Sequence, residues 1–185
     1  MVNSEFVSDF GLEVKYAPLG RSDGQGNSVI DGYASLFGVP DQNGDVVEKG
    51  AFQASLKRLK DAGRSVKLLW QHDPVQPIGV WDKVYEDDIG LKVKGRLITE
   101  VARGAEGAAL MAAGAIDGLS IGYKTIRSEK EGAGRRLIEL DLWEVSLVTF
   151  PMLPEARAQA SAPDPEAEIA RALSEALFDA RSALS

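Results

Sequence analysis

The sequence predicts a mainly β fold of the α+β kind: an antiparallel β-barrel, or sandwich, with flanking helices. Three observations carry this. Apolar, strand-like runs recur from Val66 to Val148, separated by Pro- or Gly-containing turns. Only two stretches between Val29 and Val148 have a helical pattern, and they do not alternate with the strands as βαβ units would. A chain of 185 residues with 44% hydrophobic content is also long enough for one well-buried core.

In chain order, residues 1–27 form a polar segment ending in Gly20-Arg21-Ser22-Asp23-Gly24-Gln25-Gly26-Asn27, a loop composition, with one candidate strand at Leu12–Tyr16. Val29–Phe37 reads as a strand running into the Asn43-Gly44 turn signal. Phe52, Leu56 and Leu59 recur at helical spacing and predict a short amphipathic helix up to about Ala62. Strands are then expected at Val66–His72, Ile78–Tyr85, Leu91–Ile98, Leu119–Ile126 and Leu137–Val148, with an Ala-rich helix over Val101–Ala115. The main domain is expected over residues 28–157. Residues 158–185 form a linker and a C-terminal amphipathic helix, opened by Asp164-Pro165 and striped by Ile169, Leu173, Leu177 and Leu184. That helix either docks on its own domain or acts as an arm for a partner.

Composition excludes several functions. There is no cysteine, which removes a thiol nucleophile, a disulfide framework and a Cys-based zinc site. A formal net charge of -7 argues against nucleic acid as a direct partner. No stretch approaches the ~20 apolar residues of a membrane span, and the first ten residues lack the pattern of a signal peptide, so a soluble intracellular protein is expected. Asp41-Gln42-Asn43-Gly44-Asp45 has the wrong spacing for a calcium loop, and Gly24-Gln25-Gly26 lacks the third glycine of a dinucleotide fingerprint. No metal or cofactor is expected.

Two residues stand out for chemistry. His72 is the single histidine, and it lies beside Pro74, which is expected to end the strand there and leave the imidazole at a sheet edge. Ser120 lies in Gly118-Leu119-Ser120-Ile121-Gly122, which matches G-x-S-x-G. The α/β-hydrolase elbow with that pattern needs a helix after the serine and a downstream histidine, and this chain has neither. In a strand, Ser120 shares the less apolar face with Gly122 and Lys124, a face expected to be open to water or substrate. Two acids in the last strand, Asp141 and Glu144, each fall on an apolar face, and periodicity does not choose between them. Oxyanion donors are sought among N–H groups near Gly122 or in the loop Gly132–Arg136, although Arg135 and Arg136 read better as solvated turn charges.

Six ordered segments, Gly50-Ala51-Phe52, Leu68-Leu69-Trp70-Gln71-His72-Asp73, Pro77-Ile78-Gly79, Gly90-Leu91-Lys92-Val93, Gly118-Leu119-Ser120-Ile121-Gly122-Tyr123 and Glu144-Val145-Ser146-Leu147-Val148, resemble the tailed-phage prohead protease family over residues 30–157. The resemblance implies a fold similar to that of the herpesvirus assembly proteases. It also implies serine endopeptidase cleavage of scaffold and capsid proteins inside the immature shell, in the host cytoplasm. It makes Ser120 the nucleophile and His72 the base, and it tips the choice of third member toward Glu144. The herpesvirus proteins use a second histidine there, so this chain needs an acid or works as a dyad. The sequence leaves the oligomeric state open, a homo-oligomer included. A non-catalytic capsid-assembly barrel is the main alternative, and a small-molecule esterase is a weaker one.

Overall fold

The computed structural model describes residues 13–18, as backbone, and 29–150. Its elements run β1 (Glu13–Pro18), β2 (Val29–Leu36), β3 (Val46–Val47), α1 (Gln53–Asp61), β4 (Lys67–Trp70), β5 (Asp73–Glu86), β6 (Gly90–Leu97), α2 (Ala102–Ala112), β7 (Gly118–Glu131) and β8 (Gly134–Val148). The linker and helix expected after residue 157 lie outside the described residues.

The strands form one sheet in the order β1-β7-β8-β4-β5-β6-β2, with β3 attached to β8. Its two ends, β1 and β2, approach one another without pairing, so the sheet curls into a half-barrel. Inside the curl lie Ile30, Leu68, Ile78, Leu91, Leu119, Ile121 and Leu147, all essentially inaccessible to solvent. The expected all-antiparallel pairing is not what forms. Both β3 and β4 run parallel to β8. Parallel neighbours require a crossover rather than a hairpin, and the long excursion from β4 through β5, β6, α2 and β7 supplies it.

The structure also moves three expected boundaries. β5 starts at Asp73 and includes Pro74 and Pro77, so Pro74 begins a strand rather than ending one. The ladder tolerates these prolines because the β4–β5 register shifts on both sides of Leu69, which pairs with Pro77. β7 and β8 are longer than expected and join in one hairpin at Gly132, whose φ of 58° suits glycine. β3, two residues long, carries too little pattern to be seen in sequence. The Asp41–Asp45 segment is a turn in which Asp41 Oδ1 accepts the N–H groups of Asn43 and Asp45. The buried Asp45 carboxylate then takes Arg135, tying this turn to the hairpin end of β8.

Helix α1 is fixed to the sheet by polar groups at its start and along its first two turns. Glu86 Oε1 accepts the Phe52 N–H at 2.8 Å, satisfying a donor that the helix start would leave orphaned. The fully buried Ser55 accepts Leu142 N–H at 2.9 Å and lies 3.2 Å from Asp141, which also accepts from Arg58 Nη2 at 2.8 Å and Trp143 Nε1 at 2.9 Å. Burial pushes the Asp141 carboxyl up, but the hydrogen bonds from Arg58, Trp143 and Ser55 outweigh it and hold the pKa below its ordinary value. A carboxyl depressed by folding stabilises the fold above its unfolded pKa of about 3.9, and that contribution is lost as pH falls through the folded value. Asp141→Asn should therefore be less stable than wild type at pH 7 and show a shallower further loss below about pH 4. Urea unfolding at pH 7 and pH 3 measures both.

Candidate active site

The site is assembled where β7, β8 and the β4–β5 turn meet. In the β7–β8 ladder, Ser120 lies opposite Ser146 and Gly122 opposite Glu144. The next pair is Tyr123 with Leu142, so Trp143 is an extra residue, a β-bulge. Directly opposed residues share a face. Leu142 therefore goes with Tyr123 into the core, while Glu144, one bulge further on, goes with Gly122 onto the face of Ser120. This is why strict alternation, which puts Glu144 in register with Leu140 and Leu142, misplaces it. Trp143 is turned outward, 46% exposed.

His72 arrives from the other side of β8. Residues 71 and 72 form a two-residue turn between Trp70 and Asp73, which pair with each other. Gln71 and His72 have φ of 50° and 61°, and they are the only non-glycine residues at positive φ among those described. Left-handed backbone at a residue with a Cβ costs of order 1–3 kcal/mol and tends to cluster at functional sites. Here it folds the imidazole back over β8. His72 Nδ1 lies 2.5 Å from Glu144 Oε1, with the His72 and Glu144 side chains 17% and 5% exposed. An ionised carboxylate can only accept, so Nδ1 carries the proton, and in the neutral ring Nε2 holds the lone pair. Since β4 and β7 both flank β8, their backbones are about 9–10 Å apart, two inter-strand spacings. An imidazole and a serine hydroxyl can bridge that span.

Substitutions at residue 71 test the turn. Gln71 is exposed, and among the described residues its side chain bonds only Thr149 Oγ1. Gln71→Gly should stay within ~1 kcal/mol of wild type, since relief of the positive φ offsets the lost bond and the added chain freedom. Gln71→Val, a β-branched residue in the same conformation, should cost about 2 kcal/mol or more. Equal tolerance of both in urea unfolding would mean that the turn is not left-handed.

Ser120 departs from expectation. It is 0% exposed, and its Oγ hydrogen-bonds to none of the described residues. The face judged open is buried along the stretch where β7 lies between β1 and β8. All of Gly118–Tyr123 is buried, and exposure begins at Lys124, just past the last β1–β7 pair, Glu13 with Tyr123. The Ser120–His72 hydrogen bond is not formed in this structure; in enzymes without substrate such bonds are often long and tighten on binding.

Of the two acids weighed in the last strand, Glu144 meets His72, whereas Asp141 is held by α1 and Arg58 as described above. Neither place considered for oxyanion donors fits well. Gly122 is paired on both sides, to Val14 and Glu144. The Gly132–Arg136 turn lies at the far end of the hairpin, roughly 35 Å from Ser120 at ~3.3 Å per residue, with Arg135 on Asp45 and Arg136 on Glu129 and Glu48. Two further residues belong to the site. Ser146 Oγ lies 2.6 Å from Glu144 Oε2 and accepts the His72 N–H at 3.1 Å. Gly122 leaves the space that Glu144 fills, since a Cβ there would come within 2.1 Å of Glu144 Oε1. The Glu-Val-Ser string was legible in sequence, but the use of its hydroxyl depends on β4 lying parallel to β8.

Comparison with known proteins identifies a family and a fold. The family model described as caudovirus prohead serine protease matches residues 16–168. The prohead protease of Enterobacteria phage HK97 is 30% identical over 148 residues, 78% of this chain and 62% of that protein, so the match covers less than two thirds of its relative. The solved bacteriophage T4 capsid assembly protease superposes with a TM-score of 0.56 over 82% of this chain and 98% of that one, at 15% identity, a likeness of fold.

Proposed function

The chain belongs to the family of caudovirus prohead serine proteases, and on that footing we propose that it is a serine endopeptidase that cleaves scaffold and capsid proteins during maturation of a phage-type shell. The observation that carries the reading is the His72–Glu144 pair, presented from a strained turn onto the face of the sheet that holds Ser120. In this mechanism Ser120 Oγ attacks the scissile carbonyl while His72 Nε2 takes its proton. Glu144 keeps the other ring nitrogen protonated and stabilises the imidazolium. His72 then returns the proton to the leaving amine, and water, activated by the same imidazole, hydrolyses the acyl-enzyme.

The substrates in this reading are the capsid protein and its scaffold segments, met inside the immature shell within the host cell. The herpesvirus-like barrel implied by the sequence resemblance belongs to the same proposal, supported by the curl that brings β1 near β2. The main domain, residues 28–157, would then carry the whole site, with residues 158–185 appended to it.

Incubating the protein with a capsid protein that retains its scaffold segment tests the proposal. Discrete cleavage products are expected from wild type and none from Ser120→Ala or His72→Ala. The complete burial of Ser120 favours one other reading, a non-catalytic assembly module with the same fold. Under that reading wild type and both variants leave the substrate intact alike.

A further inference from the structure

We propose that Ser146 is a positioning residue of this site, one whose hydroxyl holds Glu144 as the carboxylate and, through it, His72 as the Nδ1–H tautomer; the role rests on the serine-protease reading. Ser146 is 0% exposed and lies opposite Ser120, on the face that also carries Glu144. A serine hydroxyl has one proton and two lone pairs. One lone pair is occupied by the His72 N–H at 3.1 Å, and the near neighbour toward which the proton can point is Glu144 Oε2 at 2.6 Å. Glu144 then accepts on both oxygens, from Ser146 on Oε2 and from His72 Nδ1 on Oε1 at 2.5 Å. Protonated on Oε2, Glu144 would donate into the second lone pair of Ser146 and take away the acceptor that the serine proton now has; protonated on Oε1, it would meet the ring N–H or force the other tautomer. Each disrupts a bond that the carboxylate accepts, which a site this dry penalises. The hydroxyl thus favours the ionised acid, and the ionised acid fixes the tautomer that leaves the lone pair on Nε2, where a base must have it.

The same residue anchors the main chain. The Gln71 N–H bonds Leu147 O at 3.0 Å, the last backbone bond from this segment to β8. At His72 the turn departs from strand geometry, and the Ser146 side chain accepts the N–H in place of a carbonyl. His72 is therefore tied to β8 twice, by its backbone to Ser146 and by its ring to Glu144, and the Ser146–Glu144 bond closes the triangle.

A merely structural serine would affect stability alone, whereas a positioning one also affects the ring's protonation and turnover. The chain has one histidine, so ¹⁵N-histidine NMR reads the His72 tautomer without assignment. In a Ser120→Ala background, which prevents self-digestion, the neutral ring should be the Nδ1–H tautomer with Ser146 present and a mixture in Ser146→Ala. With Ser120 intact, Ser146→Ala should lower kcat tenfold to a hundredfold with KM within twofold. Ser146→Thr, which keeps the hydroxyl, should restore the tautomer and most of the turnover. A thermal melt establishes that each variant is folded; if the threonine variant does not fold, the tautomer in Ser146→Ala decides. A single Nδ1–H tautomer in folded Ser146→Ala, or turnover within twofold of wild type, overturns the proposal. If the tautomer shifts as expected but wild type cleaves no peptide, the positioning role stands and the protease reading falls.

Discussion

Replacing Ser120 with alanine is expected to abolish peptide cleavage, by roughly 10⁴-fold or more, and at the same time to make the protein more stable. The two effects have one cause. Ser120 Oγ is fully buried with no hydrogen bond to a described residue, and a buried hydroxyl left unsatisfied costs about 1–3 kcal/mol. An alanine of nearly the same size removes that cost and leaves no large cavity. Ser120→Ala should therefore unfold at higher urea concentration than wild type, by about 1 kcal/mol or more. A structural serine on this strand would be expected to be bonded, and its loss to destabilise. A less stable Ser120→Ala with cleavage intact would show that the residue is part of the core and not a nucleophile.

The second large effect is expected at Gly122. A methyl group there would meet Glu144 Oε1 at 2.1 Å, Cδ at 2.8 Å and Cγ at 2.9 Å. Because Cγ is involved, swinging the carboxylate tip aside does not relieve the clash, and the whole side chain must leave. Doing so breaks its bonds to His72 Nδ1 and Ser146 Oγ together. Removing the partners of a buried charge costs about 3–5 kcal/mol, partly recovered if the displaced carboxylate finds water. Gly122→Ala should accordingly lose about 2–4 kcal/mol in stability and at least 10²-fold in cleavage rate. Near-normal cleavage by Gly122→Ala would show that Glu144 need not be where this structure has it.

These two residues also show which parts of the site the sequence made legible. Ser120 and His72 were legible because the choice was small: one histidine, no cysteine and one serine in a G-x-S-x-G string. Alternation did not choose between Asp141 and Glu144, a choice only the resemblance tipped, because the argument from alternation assumes an unbroken strand. The bulge at Trp143 inverts the phase between Leu142 and Glu144, and no local feature of Leu-Trp-Glu-Val announces it. Gly122 lies on a face read as open to water or substrate, whereas the space it leaves is filled by the carboxylate. Most strands and both helices in the described residues fell near their expected places, the strands from their apolar runs between turn residues and α1 from the helical spacing of Phe52, Leu56 and Leu59. The parallel pairing of β4 with β8 was hidden because partner choice between distant strands leaves no periodicity in either. That pairing carries His72 to the site.

The account rests on Ser120 being an activated nucleophile, and covalent labelling tests that most directly. The protein is treated with a serine-directed fluorophosphonate, in which the hydroxyl oxygen displaces fluoride at phosphorus, and the adduct is located by peptide mass spectrometry. A single adduct on Ser120 in wild type, with none in His72→Ala, is the predicted result. No adduct on Ser120 in wild type, or equal labelling in His72→Ala, would contradict it.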